Sequence, residues 1–179
     1  VVTGDINNPS WCGDSLNTSN HLGTTIRAGR IYNAVYNDFA ETFEKDNKEE
    51  IAKPGDLISL NPDTGKYKVC EEYSDKLIVG VQSNTYAYLA GGNRINTTQD
   101  IMDLEHEYFT VALTGKVWVN VIENSYIKPG DMLCSSFKKG KATKSDYDTP
   151  GTIIGKALCE PKYFEEEKEY KVLMLVITR

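Results

Sequence analysis

KPGDLISL at residues 53–60 and KPGDMLCS at residues 128–135 are the same motif set 75 residues apart. The correspondence runs on without a gap: Gly65-Lys66 falls on Gly140-Lys141, Ile78 on Ile153 and Gly80 on Gly155. Each copy reads as a KPGD turn, a strand, a Gly-Lys turn, a strand and an Ile-x-Gly strand. The repetition predicts two β units of like design packed together. The chemistry of the motif is turn chemistry. Proline sets φ, glycine accepts a positive φ, and the aspartate side chain can bond a nearby backbone N–H. A repeated turn accounts for Asp56 and Asp131 without making them a catalytic pair.

Working outward, short apolar or alternating runs lie at 57–60, 67–70, 77–81, 109–113, 116–122, 132–134, 152–158 and 170–178, punctuated by NPDTG, AGGN, KKGK and TPG. Many short strands with turn residues between them predict a mainly β, compact sandwich- or barrel-like domain. One short helix is expected near 39–50. Asp38 with Glu41 reads as a capping box, Phe39 and Phe43 share a helical face, and Pro54 marks the stop. The acidic segment at 160–169, within EPKYFEEEKEYK, reads as a solvated loop before the last strand. Residues 1–26 hold no Lys or Arg and are rich in Asn, Ser, Thr and Gly. They predict an extended polar arm over 1–30, anchored by Trp11, ahead of a β-rich domain over 31–179. The start at Val1 and the polar opening suggest a piece trimmed from a longer polypeptide.

Composition narrows the function. Twenty-six Asp and Glu against 20 Lys and Arg leave a net charge of −6 and a pI near 5.0. That balance argues against a nucleic-acid partner, since phosphate binding needs clustered cations. No apolar run approaches the ~20 residues that cross a bilayer, so no membrane insertion is expected. Cys12, Cys70, Cys134 and Cys159 are far apart, and with only His21 and His106 beside them no zinc spacing arises. They read as isolated thiols, with a disulfide framework the lesser alternative that an even count leaves open. No phosphate loop, dinucleotide fingerprint or nucleophile elbow is present, so no cofactor and no metal is expected.

Carboxylates remain. Asp38, Glu41 and Glu44 follow at spacings of three, which on a helix brings them to one side. Crowded carboxylates divide their protons unequally, and such a pair can activate water or donate to a leaving amide nitrogen. A capping box with ordinary surface acids explains the same residues structurally.

YNDFAETFE at 36–44 resembles the D-Y-A-E-x-F-E signature of the C-terminal autoproteolytic, intramolecular-chaperone domains of phage tail spikes and appendages, classed with glutamic-type self-cleaving peptidases. KPGDLISL, IVGVQSN, VALTGKVWVNV, IKPGDML and GTIIGKAL follow that family's order of β motifs, so the resemblance covers about residues 30–179. It implies a domain that ends a fibrous chain and brings three copies into register as a homotrimer. It also implies a possible cut between Asn37 and Asp38, with Glu41 and Glu44 as general acid and base and Asp38 contributing its carboxyl. The arm would be the end of the upstream fibre. The location implied is a virion tail or prophage-derived particle, made in the bacterial cytoplasm. Cleaving members carry Ser before the Asp; Asn37 lacks the hydroxyl that an N–O acyl shift requires. An alternative reading is a receptor- or glycan-binding tail tip without enzymatic activity, contacting a host surface ligand through Tyr86, Tyr88, Trp118 and the AGGN loop.

Overall fold

The two KPGD turns superpose bond for bond. The backbone N–H of Lys53 donates to Asp56 Oδ2 at 2.8 Å, and that of Lys128 donates to Asp131 Oδ2 at 2.8 Å. Gly55 and Gly130 take φ of 98° and 95°, a region open to glycine at little cost. The N–H groups of Gly55 and Gly130 then reach Gln82 O and Ala157 O, each at 2.8 Å. Turn and strand partner are thus specified together by four residues.

The computed structural model describes residues 38–91, 104–147 and 149–177. The expected arm over 1–30, with Trp11, Cys12 and His21, and Asn37 lie outside these residues. The strands in chain order are β1 Asp38–Glu44, β2 Leu57–Leu60, β3 Tyr67–Val69, β4 Ile78–Gln82, β5 Tyr86–Ala90, β6 Tyr108–Val121, β7 Met132–Ser135, β8 Ala142–Lys144, β9 Ile153–Ala157, β10 Lys162–Phe164 and β11 Glu169–Val176. One helical turn at 104–107 precedes β6. The fold is mainly β, as the turn-punctuated runs predict.

The pairings make two rings of five strands. In the first, β1 pairs with the N-terminal half of β6, which pairs with β4, then β2, then β3. A parallel bridge from Lys45, just past β1, to Tyr67 closes it. In the second, the C-terminal half of β6 pairs with β11, then β9, β7 and β8, and Val121 to Ala142, again parallel, closes it. The registers are copies. Leu57 faces Val81 as Met132 faces Lys156, Ile58 faces Val69 as Leu133 faces Lys144, and the same irregularity follows Ile58 and Leu133. The repeat in sequence is therefore a repeat of hydrogen bonding, with β6 common to both rings.

Three expectations change. Residues 38–44 form strand β1, not the start of a helix. Phe39 and Phe43 share a face in either geometry, because a separation of four is even, and the ladder to β6 decides, with seven residue pairs against the marginal stability of a short helix. The runs at 109–113 and 116–122 are one strand. Thr114-Gly115 reads as a break, yet the chain continues through Gly115 at φ 102°, where the β1 ladder ends and the β11 ladder begins. The expected loop at 160–169 contains β10 and the hairpin turn to β11, at Lys168 with φ 55°.

Packing follows the rings. Ile58, Val69, Phe109 and Val111 form one buried cluster with Phe43, Tyr67 and Leu113 around it. Val117, Val119, Val121, Leu133, Val172 and Met174 belong to a second, which also takes in Leu57, Val81 and Ala112. Neighbouring residues of β2 and β6 thus serve different cores, which is why Leu57 with Ile58 and Val111 with Ala112 are buried side by side. Gly80 and Gly155 mark where β4 meets β6 and β9 meets β11. An added Cβ would lie 2.5 Å from Ala112 O and 2.4 Å from Leu175 O.

Gly80→Ala and Gly155→Ala should each lower stability by about 2–3 kcal/mol through overpacking against backbone. Gly65→Ala, at φ 70° with open space around it, should lose only about 1 kcal/mol from its backbone conformation. Urea unfolding midpoints of the three variants check the ranking.

Candidate functional site

β1 carries all three candidate carboxylates, and the strand separates them. Burial alternates along it from Asp38 to Glu41: Asp38 and Ala40 turn inward, Phe39 and Glu41 outward. At the usual rise of a strand, Glu41 lies about 10 Å and Glu44 about 20 Å along the chain from Asp38. A helix would have gathered the three on one side; the strand does not. Glu41 is exposed. Glu44 is bound to Lys66 Nζ at 2.7 Å across an open surface. Asn37 lies outside the described residues.

Asp38 is fully buried. Its Oδ1 accepts from the Thr85 hydroxyl at 3.4 Å, and its Oδ2 has no hydrogen-bond partner among the described residues. Burial raises its proton affinity above the ordinary carboxylate value. The Ser83 and Thr85 hydroxyls and its own backbone N–H oppose that rise without cancelling it. The backbone nitrogen of Asp38 belongs to the 37–38 peptide bond. The loop that brings the hydroxyls here is tightly held: Thr85 N donates to Ser83 Oγ at 3.1 Å, and Ser83 N to Thr110 O of β6 at 2.8 Å. Beside it opens a cleft of about 210 Å³ bounded by Ser83, Thr85, Val117, Trp118 and Phe164, large enough for water.

Ser83 and Thr85 are the functional candidates that motif reading overlooks. In the repeat the position 75 residues beyond Ser83 is Leu158, one of several at which the copies differ in chemistry, so the sequence alone does not single it out. Asp56 and Asp131 serve their turns. Asp56 also takes Asn120 Nδ2 at 2.8 Å, and burial raises its proton affinity; Asp131, bonded to its turn N–H and to Lys144, is held below the ordinary value. Of the alternative ligand surface, Tyr88 is exposed beside Phe39, with ring centroids 6.0 Å apart. Trp118 is half-buried, edge-on to Phe164 with Lys162 over its ring. Tyr86 is half-buried opposite Asp38 on β5. Gly92 and Asn93 of the AGGN loop lie outside the described residues. His106 is exposed on the helical turn, and Cys70, Cys134 and Cys159 are free thiols.

The family description that matches the chain is Peptidase_G2, the IMC autoproteolytic cleavage domain, over residues 1–105. Two solved structures are similar. Pre-mature bacteriophage phi29 gene product 12 shares 20% identity at a TM-score of 0.62 over 92% of this chain and 24% of that one. The C-terminal fragment of the same gene product shares 21% identity at a TM-score of 0.55 over 78% of this chain and 100% of that one. At these identities the likeness is one of fold, and the chain spans about a quarter of the longer protein. No curated protein matches the chain.

An acid whose proton affinity is raised by folding favours the fold fully only below the ordinary carboxylate value of 3.8, and loses that contribution as pH climbs through the raised one. Asp38→Asn removes the ionisation. The variant should melt higher than the native chain at pH 7, and the gap should close toward pH 3. Thermal unfolding across that range measures it.

Proposed function

The chain belongs to the Peptidase_G2 family of IMC autoproteolytic cleavage domains, and on that premise we propose that it is the assembly domain of a phage or prophage tail appendage. It holds three copies in register and cuts itself from the fibre upstream at Asn37–Asp38. The place of action is a virion tail or prophage-derived particle, after synthesis in the bacterial cytoplasm.

The observation that carries the reading is the situation of Asp38. The nitrogen that leaves in this cleavage is its own backbone nitrogen, and the carboxyl borne by the same residue is fully buried, with one oxygen left without a partner among the described residues. In the acid form the carboxyl delivers a proton there as water adds to the Asn37 carbonyl carbon and the C–N bond breaks. The products are a carboxylate on Asn37 and a free amine on Asp38. The proton lost by water goes to a carboxylate base. On their own strand Glu41 and Glu44 lie too far along for that role, so Glu41, exposed and unencumbered by an ion pair among the described residues, acts across a subunit contact. Glu44, tied to Lys66, is the second candidate.

Two features favour self-association on this side. Phe39 and Tyr88 present 54% and 59% of their surface to solvent as one apolar patch. Strand β5 pairs with β1 alone, so its other edge is open among the described residues.

Intact mass of freshly made chain should show two new species, one ending at Asn37 and one beginning at Asp38, and neither in Glu41→Gln. Mixing Asp38→Asn with Glu41→Gln chains before folding should restore cutting of the latter. A single uncut native species would refute the cleavage. Light scattering should give a trimer that Phe39→Glu with Tyr88→Glu breaks up; a stable native monomer would refute the assembly role.

A further inference from the structure

We propose that Ser83 and Thr85 are a hydroxyl clamp that holds the carboxyl of Asp38, the residue whose nitrogen belongs to the 37–38 peptide bond. They are positioning residues, and the inference rests on the cleavage reading above.

The geometry comes first. Asp38 is fully buried, yet its carboxyl meets hydroxyls rather than an arginine, a lysine or a set of backbone N–H groups. Thr85 Oγ1 donates to Oδ1 at 3.4 Å. Ser83 is 3% exposed, and its Oγ receives Thr85 N at 3.1 Å and sits 3.5 Å from Thr85 Oγ1. The Thr85 hydroxyl is therefore fixed to Asp38, and Ser83 to Thr85. One carboxyl oxygen is held and the other left without a partner, which restrains the group while leaving an oxygen free to carry and release a proton.

The internal repeat then separates scaffold from function. Ser83 N donates to Thr110 O at 2.8 Å at the end of β4, and Leu158 N donates to Leu173 O at 2.8 Å at the end of β9. The backbone task is the same and the spacing is 75 residues, as for every other pair in the repeat. The second ring performs it with leucine. The fold thus needs no hydroxyl at this position, and the first ring, which has one, is the ring that contains Asp38.

Uncharged clamping has a chemical consequence. A cation at Asp38 would keep the carboxyl ionised and useless as an acid; hydroxyls hold it in either state. Tyr86 of β5, opposite Asp38, and Lys116 of β6, one residue past Gly115, are the titratable groups nearest in register.

The test follows cleavage of the full chain by intact mass against time and pH, in native protein, Ser83→Ala, Thr85→Val and Thr85→Ser. Thr85→Val should cut at least about tenfold more slowly. Its activity should also persist to higher pH, because the lost hydroxyl bond favoured the ionised acid. Ser83→Ala should move the same way, and Thr85→Ser should restore both rate and profile. Unchanged rates, or a slower rate with an unmoved pH profile that serine does not rescue, would overturn the proposal. Should native chain not be cut at all, the cleavage reading fails, and the clamp is judged by carbon-13 titration of the Asp38 carboxyl. A rise in its midpoint in Ser83→Ala and Thr85→Val supports the clamp, and no change refutes it. Urea midpoints of all four chains separate these effects from loss of fold.

Discussion

Strand β6 must satisfy two rings at once. Its fourteen residues supply a wall to each, and from Phe109 to Ala112 every residue is buried. Such a strand has little freedom of register, because a slip of one residue would exchange the sets facing the two cores. Gly115 lets the arrangement exist. Both the β1 and β11 ladders reach it, and its positive φ re-aims the chain between them. Strand β1 is placed by this constraint, and with it Asp38, the residue that faces Gly115 across the ladder.

Placing an ionisable carboxyl there is poor design for stability. Burial opposes its charge, and an oxygen without a partner costs roughly 1–3 kcal/mol. An alanine or serine at the start of a strand would meet neither cost. The surrounding structure is strong enough to impose the position all the same, with the β1 ladder on one side and the Ser83–Thr85 loop on the other. A destabilising group maintained by its surroundings belongs with function more readily than with folding.

Much of this was legible in the chain, and what was hidden was hidden for physical reasons. The KPGD motif, its spacing and the Ile-x-Gly strands foretold two matched β units, because turn chemistry and close strand contact leave marks in residue type: Pro54, Gly55, Gly80 and their partners. Strand β1 was misread as a helix because Phe39 and Phe43 fit both periods, and only a distant partner, β6, breaks the tie. The continuity of β6 was masked by Gly115, which signals a turn in isolation and serves as a hinge between two ladders in place. Asp38 stood out by its motif, but its separation from Glu41 and Glu44 depended on that same choice between strand and helix.

Two of the differences between the halves bear on buried carboxyls, and only one of these has a packing cause. Asp56 and Asp131 make the same turn bond, yet only Asp56 is buried and driven toward its acid form. The explanation is contact between the rings. Leu57 N donates to Gly140 O at 2.8 Å, and a Cβ on Gly140 would lie 2.6 Å from Asp56 Cγ, so the second Gly-Lys turn caps the first KPGD turn. Asn120, from the β6 half that belongs to the second ring, completes the cover. Assembly of the duplicated halves therefore makes Asp56 unlike Asp131 without any chemical task. Ser83 and Leu158 are the other case. Their backbones do the same work, and no contact between the rings calls for a hydroxyl at the first and a hydrocarbon at the second. What distinguishes them is the Asp38 carboxyl, which Thr85 holds while Ser83 Oγ lies 3.5 Å from the Thr85 hydroxyl.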